Sequence, residues 1–284
     1  MDSHPDTFTA ARVRGATPQS AVVEKVSNAV PIERMEDWFE KHVSKDVVVV
    51  LESSGNSFGV FERLNAVGYS VIVLESTKIG QMAKGLCDND KLAAVRIARC
   101  YLTGLSDEVW VPDPKTRERR EVFAAYKRAD TDRTRANNRI KSLLNEHTVR
   151  LGKKYSNLAL EKSRAHISSA RPWTDTQKVL LQEAFLDFDR ATEKKKRLLQ
   201  TISQDIAQNP ELLNLFRLYG VGVVTAYGLM AMIGNIARFK SQKQLVAYFG
   251  LAPKYKQSGN NAKSGGIYRR GRRDIRCPGS LNRD

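Results

Sequence analysis

Short apolar runs in the first hundred residues predict strands that alternate with helices. Polar and apolar positions alternate from Thr7 to Arg14, which predicts a strand, and Ala21 to Val26 is its expected hairpin partner. The run from Asp46 to Glu52 is almost continuously β-branched and predicts a strand buried on both faces. The same criteria predict helix 31–43, helix 56–67, strand 69–74, helix 90–105 and a short extended segment at 109–112. This order predicts an α/β domain whose sheet is partly parallel.

Helical periodicity dominates the middle of the chain. Residues 115–151 predict a long basic helix, and its apolar stripe is narrow enough for a coiled-coil-like partner. The stripe contains Val122, Ala125, Ala129, Ala136, Ile140, Leu143 and Leu144. A second long helix is expected to begin at the N-cap Thr174 and to end near Ile206, antiparallel to the first. Its predicted buried face is Leu180, Leu181, Phe185, Phe188, Leu198, Leu199 and Ile202. Residues 152–172 have poor periodicity and predict an irregular linker.

The C-terminal part has three segments of different character. Gly220-Val221-Gly222 opens an apolar helix that continues through Ile233. A second helix is expected over 239–249, buried at Phe239, Leu245, Val246 and Phe249. A glycine-rich, cationic and flexible loop headed by Ser258-Gly259 follows. The pattern thus predicts an α/β domain at 1–113, a long helical, coiled-coil-like region at 114–208 and a mainly α C-terminal domain at 209–284.

Composition narrows the functional classes. The chain has 284 residues, 41% of them hydrophobic, with a formal net charge of +16, so it can bury cores and favours a polyanionic partner. It has no apolar run of the roughly 18 residues that a membrane span needs, and the N-terminus does not resemble a signal peptide. Three cysteines without paired spacing and four scattered histidines predict neither disulfides nor a zinc site. Catalysis is therefore expected to use carboxylates or a hydroxyl.

Two further patterns suggest contacts with phosphate. Gly220 and Gly222 open a helix whose first N–H groups could cradle a phosphate, although a tight turn between packed helices explains them equally well. A basic cluster interleaved with Tyr255 and Tyr268 indicates a nucleic-acid surface, with a disordered basic tail as the alternative. The cluster consists of Lys254, Lys256, Lys263, Arg269, Arg270, Arg272, Arg273 and Arg276. Glu52 ends the most buried predicted strand, where α/β sheets display ligand-binding groups, but a solvated strand-end Glu is also possible.

Three consecutive C-terminal motifs carry a family resemblance. GVGVVTA, IARFKSQKQLVAYFGLAP and QSG followed by GGIYRRGRRDIR resemble the C-terminal domain of DEDD insertion-sequence transposases, the RNA-guided bridge recombinases of bacterial mobile elements. The resemblance implies that Ser258 is the nucleophile that attacks DNA; Ser264 is the rival serine, but Ser258 matches the motif. It also implies a structured guide RNA, a homo-oligomer (dimer or tetramer) and a nucleoid-associated place in the bacterial cytoplasm. Tyr219 and Val223 stand where the family usually has prolines.

The same resemblance extends to the acids of an RNase H-like (RuvC-like) domain. DSHPDTFTAA resembles the first family motif and LESSGNSFGVFERLNAVGYSVIVL the second, which implies Asp2 and Glu52 as metal ligands. NDKLAAVRIAR aligns Asp90 with the first acid of the third motif and Ala93 with its second, and Asp88 could supply the missing oxygen. Such acids would hold Mg²⁺ (or Mn²⁺) beside a scissile phosphate.

These expectations combine into a DNA transposase or recombinase. Attack by Ser258 would form a phosphoserine link that conserves bond energy for strand rejoining. One alternative is a metal-only RuvC-like nuclease that resolves branched DNA, and another is a nucleic-acid-binding protein without catalysis. Asp2 directly follows the first Met, and the family pattern stops after Arg276, so we expect a chain truncated at both ends to have impaired activity.

Overall fold

The computed structural model describes residues 1–82, 89–258 and 261–267. The chain divides into two compact units, Met1–Val111 and Pro112–Asp284. It is mixed α/β and mostly helical, and its described strands form three small sheets. No helix within these ranges is both long and apolar enough to cross a bilayer.

The first unit contains an antiparallel sheet and a parallel strand pair. The antiparallel sheet has the order β1-β2-β3, where β1 is Asp2–Ser3, β2 is Thr7–Arg14 and β3 is Val22–Pro31. The parallel pair consists of β4 (Val48–Glu52) and β5 (Ser70–Leu74). The predicted hairpin and the partly parallel arrangement are confirmed. β3 is longer than expected because it pairs with the whole of β2, from Arg14↔Val22 to Thr7↔Pro31.

Four helices accompany these strands: α1 (Met35–His42), α2 (Ser57–Ala66), α3 (Ser76–Gln81) and α4 (Asp90–Leu102). β4 is buried on both faces, as predicted, since Leu51 packs in one core cluster and Val50 packs with Ile97 of α4 in another. Leu92 of α4 is exposed. The helix buries Ala94, Ile97 and Cys100, because a spacing of three keeps these positions on the side that meets the sheet.

Two helices of 33 residues each dominate the second unit: α5 (Pro114–Glu146) and α7 (Asp175–Ala207). Ion pairs join the start of α5 to the end of α7 and the end of α5 to the start of α7, which confirms the predicted antiparallel pairing. These pairs are Arg119–Asp205, Asp130–Lys195 and Arg139–Asp187. The buried faces of the two helices differ from the prediction. Phe123 and Tyr126 of α5 are also buried, whereas Leu180 of α7 is exposed.

The predicted irregular linker at 152–172 is wrong, because this segment folds against the helical pair. A 3₁₀ turn at Lys153–Tyr155 precedes α6 (Glu161–Ser169). Ile167 of α6 is fully buried, and its carbonyl oxygen accepts a 2.9 Å hydrogen bond from the indole Nε1–H of Trp173. A few such tertiary contacts order the segment without the long apolar period that sequence patterns detect.

The described C-terminal part of the second unit is helical up to a β-hairpin. Its elements are 3₁₀ turns at Pro210–Arg217 and Ile236–Arg238, helices α8 (Val223–Ile233) and α9 (Gln242–Tyr248), and strands β6 (Pro253–Ser258) and β7 (Asn261–Ile267).

Two predictions for this part are wrong. The helix expected over 239–249 begins only at Gln242, because the Ser241 side chain caps it by accepting from the Gln244 N–H, so Phe239 lies outside it. Val246 is exposed, whereas Leu245 packs against a core cluster and Phe249 is buried in it. Ser258, expected in a loop, is instead the last residue of strand β6 and pairs with Asn261 of β7.

Candidate metal centre

Asp2 and Asp90 are brought together from distant parts of the first unit, and His4 lies between them. Asp2 belongs to β1, His4 follows this strand, and Asp90 is the first residue of α4. The His4 Nε2 atom is 3.4 Å from Asp2 Oδ2 and 3.5 Å from Asp90 Oδ1. One potential ligand atom from each of these residues lies within 4.8 Å of the other two. The three side chains form a cluster with the donor types of a metal site.

Backbone and side-chain hydrogen bonds fix the position of His4. Its N–H donates to the carbonyl oxygen of Thr7 at 2.8 Å, and its own carbonyl oxygen accepts from Asn56 Nδ2 at 2.8 Å. Asn56 Oδ1 in turn accepts from the Ser3 hydroxyl at 3.0 Å. Asn56 is the N-cap residue of α2 but makes no side-chain cap bond there, because its amide ties the turn after β1 to the loop after β4.

The His4 nitrogen inside the cluster is enclosed but has no hydrogen-bond partner. Its Nε2 atom is buried from solvent, although the two carboxylate oxygens near it are not placed for a well-formed hydrogen bond. The Asp2 side chain is 17% exposed and that of Asp90 is 52% exposed, so the cluster opens to solvent on the Asp90 side. The N-terminus of α4 also stabilises negative charge on Asp90, because the helix dipole is positive at that end.

Glu52 lies near this cluster but outside the group of three. It is the last residue of β4. The buried Met1 amino group donates to the carbonyl oxygen of Val50 at 2.7 Å, which places the start of β1 beside β4. Burial lowers the pKa of this amino group to about 5, while the carboxylates of Asp2 and then Glu52 act in the opposite direction. Glu52 is therefore close enough to this end of β1 to act on the same amino group as Asp2.

The donor set fits a divalent cation. Asp2, Asp90 and His4 offer two carboxylates and one imidazole nitrogen, and Glu52 supplies additional negative charge nearby. Ala93 lies one turn along α4 from Asp90 and provides no ligand oxygen. Asp88, the predicted substitute for the missing acid, lies outside the described residues.

The glycines before α8 form a turn. Gly220 has a positive φ of 82°, and the Val221 N–H donates to the carbonyl oxygen of Leu218 at 3.1 Å. Gly222 is the N-cap residue of α8 and has extended backbone geometry. The turn explains why Gly220 is glycine, while the first N–H groups of α8 leave the phosphate-cradle interpretation open.

The predicted nucleophile and three of the predicted cations belong to the C-terminal hairpin. Ser258 is the last residue of β6 and pairs with Asn261 of β7. Lys256 pairs with Lys263 on the opposite strand, and Lys254 pairs with Gly265. The remaining predicted contacts, Arg269, Arg270, Arg272, Arg273 and Arg276, lie outside the described residues.

Comparison with known proteins shows a family similarity in the C-terminal part of the chain. Residues 213–277, which contain the α8 glycines and the β6–β7 hairpin, match the profile of the Transposase IS116/IS110/IS902 family. This match and the relatives described next support an insertion-sequence transposase family for this chain.

Curated transposases also match upstream of that segment. A putative transposase, y4qE, of Sinorhizobium fredii is 24% identical over 79% of this chain and 55% of its own length. The transposase for insertion sequence element IS1111A of Coxiella burnetii is 29% identical over 55% of this chain and 44% of its own length. A probable family 20 transposase of Pseudomonas aeruginosa is 23% identical over 79% of this chain and 66% of its own length. This chain spans between 44% and 66% of the length of these relatives.

The sequence motifs do not single out His4 and Asn56 in this chain. Its four histidines are scattered and form none of the spacings typical of metal sites, so they were not expected to bind a metal. The signal that could have found His4 is its position two residues after Asp2, because alternate residues of an extended segment share a face. Asn56 has no such signal, since it acts through a contact with a residue 52 positions away.

Proposed function

We propose that this chain catalyses DNA strand transfer for an insertion sequence, with a divalent cation held in the first unit and Ser258 as the nucleophile. The observation that carries the proposal is the convergence of Asp2, His4 and Asp90 from β1 and α4, because separated segments must fold together to make this donor set. Similarity to insertion-sequence transposases supports DNA as the substrate. The chain is shorter than its relatives, so activity of this particular chain is part of the proposal.

The first unit would bind the scissile phosphate. Asp2, Asp90 and His4 would hold the cation, with Glu52 contributing charge next to them. Mg²⁺ or Mn²⁺, when bound, supplies positive charge and Lewis acidity for phosphate chemistry. The start of β1 alongside β4, with acids near the end of a buried parallel strand, supports the RNase H-like (RuvC-like) fold that the motifs imply.

Ser258 would form the covalent intermediate. Its Oγ attacks the phosphorus atom, so one O–P bond forms while the bond between phosphorus and one sugar oxygen breaks. The proton lost by the serine balances the proton gained by the departing sugar hydroxyl, and no redox partner is needed. The phosphoserine keeps the phosphodiester bond energy for rejoining to a second DNA end.

The C-terminal hairpin would bind the nucleic-acid backbone close to this serine. Lys256 and Lys263 occupy paired backbone positions in β6 and β7. Two cationic residues in one short hairpin favour binding to phosphate groups. A structured guide RNA and a homo-oligomer, as a dimer or tetramer, complete the proposal; the net charge of +16 supports a polyanionic partner.

Trapping the covalent intermediate tests the proposal. The full chain is incubated with Mn²⁺ or Mg²⁺, a guide RNA candidate and labelled DNA carrying the ends of the insertion sequence, and then denatured for electrophoresis. We expect a protein–DNA adduct that is absent from S258A and D90N and retained by S264A, the matched serine control. An adduct that persists in S258A contradicts the serine mechanism. Metal-dependent cleavage by S258A and the parent chain without any adduct would instead favour the metal-only nuclease.

A further inference from the structure

The geometry around His4 differs from that of an ordinary histidine–carboxylate pair. A protonated imidazole beside a carboxylate normally donates along a short, nearly straight hydrogen bond. The His4 Nε2 atom instead lies almost equally far from the two carboxylate oxygens, at 3.4 and 3.5 Å, and is aligned with neither. The three atoms surround a common point instead of forming a pair.

These separations suit ligands of one cation. Two donors that each lie about 2.1 Å from an octahedral ion are about 3 Å apart as neighbours and about 4.2 Å apart across the ion. Both His4–carboxylate distances, 3.4 and 3.5 Å, fall between these values. A cation could therefore be accommodated with side-chain shifts of less than an ångström or so.

The fold holds His4 in this position without using its imidazole. Both backbone polar groups of His4 are hydrogen-bonded, to Thr7 and to Asn56. Asn56 gives up the capping role that its position at the start of α2 would allow in order to make this bond. The ring is partly open to solvent, with the side chain 45% exposed, yet its Nε2 atom is enclosed and faces the acids.

We propose that His4 is a direct ligand of the divalent cation, which makes the centre a mixed imidazole–carboxylate site that prefers Mn²⁺ to Mg²⁺. This inference rests on the metal site of the proposed function and adds a nitrogen donor to it. Mg²⁺ prefers oxygen ligands, whereas first-row transition cations bind imidazole more readily. His4 therefore sets which cation the site selects.

Metal binding to the full chain tests this ligand without relying on activity. Mn²⁺ is titrated with detection of the free ion by electron paramagnetic resonance, and Mg²⁺ is then added as a competitor. We expect H4Q to bind Mn²⁺ at least about tenfold more weakly while its Mg²⁺ affinity changes little, because the Gln carbonyl oxygen can replace nitrogen only for the harder ion. H42Q is the matched control and keeps the parent affinities, since His42 stacks on Trp38 in α1. Circular dichroism without metal checks that each variant is folded.

Variants of the two acids distinguish a wrong assignment of His4 from the absence of the whole metal site. If D90N loses Mn²⁺ binding but H4Q binds Mn²⁺ as tightly as the parent chain, the carboxylate site stands and the His4 assignment is wrong. The same holds if H4Q binds Mn²⁺ more tightly, since His4 would then be a cationic substitute for the metal. If neither D2N nor D90N changes Mn²⁺ binding, both the site and the His4 ligand are overturned.

Discussion

Asp205 of α7 is a nearly enclosed carboxylate whose charge is balanced by Arg119 of α5. The guanidinium donates to both carboxylate oxygens, at 2.8 and 3.1 Å. The side chains are 10% and 15% exposed, respectively, so solvent screens the pair only weakly. The hydrogen bond from Arg119 lowers the pKa of Asp205 below its usual value, while burial acts in the opposite direction. The pair therefore stabilises the contact between the long helices while Asp205 is ionised.

Replacing Asp205 with Ala should lower the free energy of unfolding by about 2–3 kcal/mol at neutral pH, since it removes the carboxylate to which the enclosed Arg119 guanidinium donates. Because the folded pKa is depressed, this stabilisation is present above the unfolded Asp pKa of about 3.9 and is lost as pH falls through the folded value. Urea unfolding of both proteins at neutral pH and at successively lower pH measures the difference, which should shrink on acidification.

D187A provides the matched control. Asp187 pairs with Arg139 between the same two helices, at 2.8 Å, but the side chains are 45% and 61% exposed. Solvent screening limits such a pair to about 0.5 kcal/mol. Equal losses for D205A and D187A would contradict the argument from burial.

The candidate site shows which functional residues could be predicted from sequence motifs and which could not. Asp2, Glu52 and Asp90 were found through motif resemblance, and the structure brings Asp2 and Asp90 into one cluster. His4 was not found, because its role depends on the approach of α4 to the turn after β1. That approach is a tertiary contact, which the spacing of histidines along the sequence cannot predict.

At the scale of elements, the contact between α5 and α8 depends on the absence of a side chain. A Cβ atom built on Gly228 of α8 would lie 2.7 Å from Phe123 Cζ, closer than real Cβ contacts. The Phe123 ring is 2% exposed within the core that α5, α7 and α8 share, so it has little room to move. Gly228 lets the two helices approach each other closely.

G228A should therefore destabilise the protein by about 1–2 kcal/mol, since overpacking costs about 1–3 kcal/mol and Ala recovers up to about 1 kcal/mol of helix propensity. G59A, in α2, is the matched control, because nothing lies within 4 Å of its Cβ position. It should raise stability by about 0.5–1 kcal/mol. Thermal unfolding of both variants measures the two shifts, and a stabilised G228A would contradict the close packing.

Elements with a strong period were predictable and those ordered by a few contacts were not. The valine run of β4 correctly predicted burial on both faces, and the paired apolar stripes of α5 and α7 correctly predicted an antiparallel pair. α6 was missed because Ile167 is its one fully buried large apolar residue. The β6–β7 hairpin was missed because most of its residues are polar or glycine, which hides the alternation typical of strands.

At the scale of the whole molecule, the excess positive charge has a different role from the cores. The net charge of +16 disfavours compactness through self-repulsion, so it is expected to serve association with a polyanion. Cores in both units, with Leu51 fully buried in the first and Ile202 in the second, supply the folding free energy against that repulsion. Binding to DNA should consequently be steeply salt-dependent, because each neutralised phosphate releases counterions.

The double variant K256Q/K263Q tests whether the hairpin contributes specifically to this binding. If both lysines contact phosphates, the slope of log Kobs against log salt concentration should become shallower by about 2, near 1 for each lost contact. K25Q/K41Q changes the net charge equally at two exposed lysines of the first unit and should leave the slope nearly unchanged. Fluorescence anisotropy with labelled duplex DNA over a series of salt concentrations gives both slopes. Equal changes of slope in the two double variants would mean that the total charge of the protein determines its DNA affinity. Only a local phosphate contact by Lys256 and Lys263 can distinguish two variants of the same net charge.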